Sequence, residues 1–366
     1  MTHDTCHLAL ARPDIFPNLT GMDSLTHIAL GACLGEVLLD RKLGRKAMAW
    51  GAIAQSLPDI DFLANFWLQP PASLLAHRGI THSILFAAAS AFALALAAEK
   101  WHRPHDIGFP KWLRFFLMAI GLHLLLDVFN NYGVGWFEPF SSARLSLQAI
   151  YVADPWFSVW TAIGCIALLF LKMDHRHRIR WAIFGMVMPV LYLVYAMSNK
   201  NAINHGIVKA LASEHIHVKR LLTTPTPLNN WLWFVAAEDS TGYRVTHRSV
   251  FDGDAPVVFT FFPRNDSLLL PMQDHEEIGQ LKKFSQGWYT LEHWNDTLVF
   301  NDLRFGQMIG WRDTQAHFVF HYFLDHGKDN ELVVQRGRFA GWDMDVLHSL
   351  YTRIRGTRDA AGGSRR

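Results

Sequence analysis

The strongest constraint on the fold of this chain is a series of long apolar segments separated by short polar loops. Two of them, residues 83–98 and 156–171, contain no charged side chain. About 20 apolar residues in a helix span the hydrocarbon core of a bilayer, and these segments are only slightly shorter. Aromatic residues near their ends are typical of a membrane–water interface. We therefore predict a membrane-embedded region; a soluble helical core is the alternative.

The apolar pattern predicts about six helices before residue 200, in the ranges 25–40, 47–57, 80–98, 113–131, 156–171 and 181–198. Charged residues make up 18% of the chain, below the roughly 25% of soluble domains. The predicted fold class is α+β: a membrane-embedded all-α helical bundle of about six helices, followed by a small antiparallel β domain.

Lysine and arginine residues concentrate in alternate loops. The segments 41–46, 99–114 and 172–180 hold four each, whereas 58–79 holds only Arg78 and 132–155 only Arg144. Basic loops stay on the cytoplasmic side of a membrane. The sequence therefore predicts an integral membrane protein whose less basic loops and C-terminal domain face the extracytoplasmic side.

Beyond residue 200 the composition changes to short segments rich in aromatic and β-branched residues, separated by turn-forming residues. This pattern is typical of an antiparallel sheet or small barrel. The expected organisation is a disordered leader (1–21), the membrane-embedded domain (22–200), a linker (201–222), a β-rich extracytoplasmic domain (223–352) and a disordered tail (353–366).

Pairs of ionisable residues lie beside or inside the apolar helices. Alone, a histidine on an apolar helix is usually a core residue, and an Asp-x-Asp pair after proline is usually a turn or cap. Ionisable groups within a membrane are costly, however, and several together indicate a functional site. The four pairs are Asp23 and His27, Asp59 and Asp61, His77 and His82, and His123 and Asp127.

Imidazole and carboxylate ligands without thiolates favour Zn²⁺, with Mn²⁺ or Fe²⁺ as alternatives. The three cysteines have no metal-binding or disulfide spacing. Eight candidate ligands exceed one tetrahedral site, which suggests two or three ions. Clustered ions activate water for displacement at a phosphoester. Arg78 is suited to hold a phosphate oxygen, and we assign catalytic roles to Asp59, Asp61 and Arg78.

Four motifs resemble the membrane-bound metal-dependent hydrolases of the YdjM/YbcI type: "MDSLTHIALG", "LPDIDF", "HRGITHS" and "HLLLD". Residues 130–158 and 224–236 resemble the longer, YfhP-like members. The family is grouped with zinc-dependent phospholipase C and P1 nuclease, whose helical site holds three zinc ions. The resemblance implies a protein of the bacterial inner (cytoplasmic) membrane with a zinc site formed by His27, Asp59, His77 or His82, His123 and Asp127.

The sequence departs from those soluble enzymes because it has no His-x-x-x-Glu motif and no histidine between residues 124 and 174. Glu138 and Asp154 are the candidate substitutes, and with Asp23 and Arg144 they are expected to support the ligands or contact substrate. A structural ion pair between Arg144 and Asp154 is the alternative.

Three functions are compatible with these features. The first is a membrane-bound hydrolase whose partners are membrane lipid and a lipid or envelope phosphoester. The second is a metal transporter, and the third is a non-catalytic regulator or lipid-binding protein with a structural metal site. A net charge of +2 gives no indication of nucleic-acid binding.

Overall fold

Helices dominate the first part of the chain in the computed structural model, which describes residues 21–39, 43–102, 107–152, 154–272, 275–324 and 342–356. The α-helices here are α1 Gly21–Leu38, α2 Arg45–Ser56, α3 Pro70–Ala76, α4 Ile84–Trp101, α5 Phe109–Asp127, α6 Pro155–Phe170 and α7 Arg178–Ser213. Two 3-10 helices, Pro58–Phe66 and Ile80–His82, lie in the loop between α2 and α4.

Three of these helices, α4, α5 and α7, are long and apolar enough to cross a membrane. Ser24–Leu38 within α1, and α6, are apolar but shorter, and α2 has only 12 residues. The α+β class is confirmed. The described residues thus provide three candidate spans, so a bundle of six membrane helices remains a prediction.

Small residues allow neighbouring helices to pack closely. A Cβ atom on Gly31 of α1 would lie 2.2 Å from the carbonyl oxygen of Gly51 in α2. A Cβ atom on Gly164 of α6 would lie 2.8 Å from Cα of Gly185 in α7. Membrane helices use such small residues because close backbone approach maximises van der Waals contact where the hydrophobic effect does not drive association.

Basic residues from two of the three basic loops, 41–46 and 172–180, meet at one end of these helices. The buried guanidinium of Arg178, at the start of α7, pairs with Glu36 near the end of α1 at 2.8 Å. It also donates to the carbonyl oxygens of Leu168 and Leu171 at the end of α6. Arg45, which begins α2, donates to Leu169. The end of α5 that carries His123 and Asp127 points away from its own basic loop.

The C-terminal part contains two antiparallel sheets, which confirms the prediction of antiparallel strands. The first has β1 Arg220–Pro225, β2 Leu232–Glu238, β3 Gly242–Ser249 and β4 Thr260–Pro263 in that order. The second has β5 Tyr289–Trp294, β6 Thr297–Gln307 and β7 Phe318–Phe323 in that order. A 3-10 helix Asp266–Met272 and the helices α8 Glu276–Phe284 and α9 Met344–Ile354 complete it.

The segment predicted as a linker, 201–222, is instead helical to Ser213 and enters β1 at Arg220. Ile203, Ile207 and Leu211 recur at helical spacing and pack against β2. Burial of that apolar stripe stabilises the continuation of α7.

The predicted ends of the chain are described only in part. Residues 1–20 of the leader and 357–366 of the tail lie outside the described residues, as does 331–339, one of the segments expected to form strands. Gly21 begins α1, and Arg353 and Ile354 close α9, so the residues of the predicted leader and tail that border the described chain are helical.

Candidate metal centre

Three segments bring four side chains together at one end of the helices. Asp59 lies in the 3-10 helix that follows α2, and His82 ends the short 3-10 helix before α4. His123 and Asp127 occupy the last two turns of α5, where their spacing of four residues places them on one face. One potential ligand atom from each of the four lies within 4.8 Å of the others, the one such group of histidine, cysteine and acidic side chains in the described part of the chain.

Two carboxylates face two imidazoles in this group. Asp127 Oδ2 lies 3.2 Å from His82 Nε2 and 3.5 Å from His123 Nε2. Asp59 Oδ1 lies 3.6 and 3.5 Å from the same two nitrogen atoms, which are 3.3 Å apart. Asp59 is 22% exposed, whereas the other three side chains are buried. Solvent therefore reaches the group from the Asp59 side.

The chemistry of this group fits a divalent cation. Two imidazole nitrogens and two carboxylate oxygens form a donor set that zinc accepts. Asp127 Oδ2 is buried beside the nitrogens of His82, His123 and Arg78, and none of these contacts has hydrogen-bond geometry. A cation among the four clustered side chains would give this oxygen a direct partner.

Hydrogen bonds to the far side of each ring orient the ligands. His123 Nδ1 lies 2.6 Å from the carbonyl oxygen of Gln55, so this nitrogen donates and Nε2 is left free to accept. His82 Nδ1 lies 3.0 Å from Thr81 Oγ1 and 3.4 Å from Asp61 Oδ2. Partners of this kind fix the tautomer and raise the affinity of a histidine for a metal.

His27, a predicted ligand, contacts the group through one of its members. Its Nε2 lies 3.2 Å from Asp127 Oδ1, and its Nδ1 lies 3.2 Å from Gln55 Oε1. Gln55 also donates to the carbonyl oxygen of Ala119, so it joins α1, α2 and α5. Gln55 is not among the residues predicted from the sequence, although a lone amide in an apolar helix, four residues before Asp59, is a signal for it.

Asp61 shapes the turn that carries the two histidines. Its Oδ1 lies 3.3 Å from His77 Nδ1, and its Oδ2 accepts a hydrogen bond of 2.7 Å from the Arg78 backbone nitrogen. Of the two histidines of this turn, His82 thus joins the metal group and His77 pairs with Asp61. Within the turn, Arg78 has a left-handed backbone conformation, with φ +57°. The next residue is glycine because space is short: a Cβ atom on Gly79 would lie 2.9 Å from Glu138 Oε2.

The Arg78 side chain points to the metal group. It is buried, and its Nε lies 3.4 Å from Asp127 Oδ2. Its guanidinium carbon lies 5.3 Å from the centre of the Tyr132 ring. The positively charged guanidinium of Arg78 thus lies beside the Asp127 carboxylate and against the face of the Tyr132 ring.

Glu138 and Arg144 lie behind the same turn. Arg144 donates a 2.8 Å hydrogen bond to the carbonyl oxygen of His77 and pairs with Glu138 at 3.8 Å.

The alternative pairing of Arg144 with Asp154 is not observed. Asp154 instead caps α6 through the backbone nitrogen of Trp156 and accepts a 2.8 Å bond from the Tyr192 hydroxyl. The side chain of Asp23 lies outside the described residues.

The surroundings of the carboxylates set their charge. Burial opposes ionisation of Asp59, but His123, His82 and His27 outweigh it and hold its pKa well below the usual range. Burial likewise opposes ionisation of Asp61, and His77 and His82 lower its pKa. By contrast, burial raises the pKa of Asp154 to about 6. The carboxylates beside the histidines are therefore ionised at neutral pH, as cation binding requires.

The four clustered residues lie in a part of the chain that matches a known protein family. The sequence profile of a family described as YdjM inner membrane protein matches residues 22–203, which include all four clustered ligands and precede every strand. Inner membrane protein YbcI of Escherichia coli (strain K12) is 31% identical over 122 residues, which are 33% of this chain and 69% of YbcI. The uncharacterized protein YfhP of Bacillus subtilis (strain 168) is 25% identical over 345 residues, which are 88% of this chain and 95% of YfhP. No solved structure matches.

Proposed function

The chain belongs to the YdjM/YbcI family of inner membrane proteins, and from that premise we propose that it is a membrane-bound, metal-dependent hydrolase of phosphoesters. The observation that carries the proposal is the buried group of Asp59, His82, His123 and Asp127, with the Arg78 guanidinium against it. A metal ion and a buried arginine can each bind an oxygen of a phosphate ester.

We propose Zn²⁺ as the resident ion, with Mn²⁺ or Fe²⁺ as alternatives that accept the same nitrogen and oxygen donors. Four ligand atoms within 4.8 Å of one another suit one ion. The residues next to this group are engaged with each other or with it: His27 pairs with Asp127, and His77 pairs with Asp61.

The residues around the ion have separate tasks in this proposal. A cation held by these residues would supply Lewis acidity to a phosphoryl oxygen and lower the pKa of water. Arg78 would hold a second phosphoryl oxygen, for which its planar donor array is suited. Asp59, which solvent reaches, would accept a hydrogen bond from water and orient it towards phosphorus; the new P–O bond forms as the ester P–O bond breaks, and the proton of the water passes to the departing alcohol oxygen. Asp61 keeps Arg78 in place through the backbone bond described above.

The substrate we propose is a membrane lipid, because exposed apolar side chains follow the aspartates directly. Phe66 and Trp67 are 72% and 68% exposed, and Phe62 and Leu63 lie between them and Asp61. In a membrane protein, aromatic residues of this kind lie at the level of the lipid headgroups. A lipid phosphoester would then meet the ligands without leaving the interface.

The test is hydrolysis of phospholipid in vesicles by the zinc-loaded, purified protein, with soluble phosphodiesters assayed in parallel. Asp127→Asn removes a ligand, and we expect it to lower the rate at least about 100-fold. Arg78→Lys removes the bidentate hold, and we expect a loss of about 100- to 1,000-fold. Asp154→Asn is the matched control and should retain the wild-type rate. Equal hydrolysis by wild type and Asp127→Asn would contradict the proposal.

A non-catalytic membrane regulator or lipid-binding protein with a structural metal is the second candidate. The observation that favours it is the deep burial of His82, His123 and Asp127, because structural sites are closed. That function predicts metal-dependent binding to phospholipid vesicles without any release of product in the same assay.

A further inference from the structure

Tyr132 joins the metal centre to the C-terminal part of the molecule. Its buried ring lies 5.5 Å from the ring of His77 and 5.3 Å from the guanidinium carbon of Arg78. It also lies 4.8 Å from the ring of Phe305 in β6. One aromatic ring therefore contacts both the turn of the site and the core of the second sheet.

The backbone beside Tyr132 is held by a fully buried ion pair of β6. Arg304 pairs with Asp302 at 2.5 Å, and neither side chain is exposed. Arg304 Nη1 also donates 3.1 Å to the carbonyl oxygen of Tyr132. A buried charge requires compensation, and for Arg304 it comes from Asp302 and from the loop that carries Tyr132. A second bond to this loop runs from the hydroxyl of Thr224 in β1 to Asn131 Oδ1, at 2.8 Å.

An irregularity in β6 directs Arg304 to this loop. Asp302 faces Phe320 of β7 and Gln307 faces Phe318, so residues 303–306 occupy the space of one residue of β7. The insertion ends at Gly306, whose φ is +74°. Bulges of this kind re-aim side chains and are over-represented next to active sites.

We propose that Arg304, held by Asp302, is a positioning residue of the metal centre: it fixes Tyr132, and Tyr132 orients Arg78 for a phosphate oxygen. The proposal rests on the proposed function, because it assigns the phosphate to Arg78. It also gives a role to the strands, which lie beyond the residues matched by the YdjM family. The second C-terminal sheet thereby supports the anion site through Tyr132.

The experiment uses the full chain in detergent, loaded with Co²⁺ and titrated with inorganic phosphate while the visible Co²⁺ spectrum is recorded. Tyr132→Leu removes the ring, and the double variant Asp302→Asn/Arg304→Met removes both charges of the pair and leaves none uncompensated. We expect Co²⁺ affinity to stay within about twofold, because no ligand is changed. The phosphate Kd should rise about 3- to 30-fold, the range of a desolvated cation–π contact.

Two controls separate positioning from a general loss of structure. Tyr132→Phe keeps the ring and should restore wild-type phosphate affinity. The double variant Asp252→Asn/Arg353→Met removes another ion pair of the C-terminal part, where Arg353 bonds Asp252 and the carbonyl oxygen of His247. It should leave both affinities unchanged.

The outcomes distinguish this inference from the function on which it rests. A wild-type protein that takes up no Co²⁺ overturns both. The inference alone is overturned if wild type binds Co²⁺ and phosphate and the variants Tyr132→Leu and Asp302→Asn/Arg304→Met bind these two ions as tightly as wild type does. Selective loss of phosphate affinity in both variants supports it.

Discussion

At the scale of single residues, Asp127 is the centre of the site. One of its oxygens faces His27, and the other faces His82, His123 and Arg78. The sequence predicted these residues from their charge within apolar helices, which is a costly placement that function explains. Of the two histidines of this turn, the sequence favours His82, which begins the apolar helix; in the structure His77 pairs with Asp61, which also accepts a bond from the Arg78 backbone.

Gln55 gives the first prediction at this scale. Gln55→Leu removes the acceptor of His27 and the link to α5, while the four clustered residues remain. Loss of such a supporting partner typically weakens metal affinity 10- to 100-fold, and we expect that range for Zn²⁺ in competition with a chelator. The neighbouring Ser56→Ala, which loses a bond within its own helix, serves as the control. Unchanged affinity in Gln55→Leu would show that the orientation of His27 does not matter for binding.

Asp154 gives a prediction about pH. Burial raises its pKa to about 6 from the model-peptide value of 3.8, so the folded chain binds this proton more tightly than the unfolded chain. The group therefore lowers stability progressively as pH rises from below 4 to above 6. The full effect is about 3 kcal/mol, since one pKa unit corresponds to about 1.4 kcal/mol.

Asp154→Asn keeps an N-cap side chain and removes the charge. We therefore expect the variant to be more stable than wild type. The difference between their unfolding free energies should increase by about 1.5 kcal/mol from about pH 5 to pH 7.5. Denaturation in detergent, followed by circular dichroism across this range, measures the difference. Parallel stability profiles for the two proteins would rule out a buried, ionising Asp154.

At the scale of elements, apolar periodicity predicted the helices well where one face or a whole segment is apolar. The prediction of 156–171 corresponds to α6 at Pro155–Phe170, and that of 47–57 to α2 at Arg45–Ser56. It ended α7 about fifteen residues early, because the last part of that helix is stabilised by packing against β2 rather than by lipid. Such a contact depends on the fold of residues far along the chain.

Close packing of α6 on α7 gives a prediction at this scale. Gly164→Leu would force the two backbones apart, because the space beyond Gly164 is filled by Gly185. Overpacking of this kind typically costs about 1–3 kcal/mol, which should appear as a lower thermal midpoint in detergent. Gly206→Leu in α7 is the matched control, since a Cβ atom there meets nothing within 4 Å. Equal midpoints for the two variants would contradict the packing described.

At the scale of the whole molecule, the candidate metal centre lies next to the second C-terminal sheet through Tyr132, whereas Arg178 contacts the ends of α1 and α6 at the other end of the helices. The alternation of basic loops in the sequence predicted this separation. The contact of Tyr132 with Phe305 was not predictable, because it joins residues far apart in the chain through a bulge that no local pattern indicates.

The basic end and the end that carries the sheets predict how the molecule is oriented in the membrane. If the basic end is cytoplasmic, a fusion of alkaline phosphatase to the C-terminus should be active in a bacterial host, and a fusion of green fluorescent protein should be dark. A fusion within the basic loop between α6 and α7 should give the opposite pair of results. A fluorescent C-terminal fusion would place the sheets and the metal centre on the cytoplasmic side.

The most direct test of the central claim is the metal content of the purified chain. Elemental analysis after expression in zinc-supplemented medium should give about one zinc ion per chain for wild type and for Asp154→Asn. It should give less than about a tenth of that amount for Asp127→Asn and for His123→Ala. A wild-type chain without transition metal, or an Asp127→Asn chain with as much as wild type, would contradict a metal centre at Asp59, His82, His123 and Asp127.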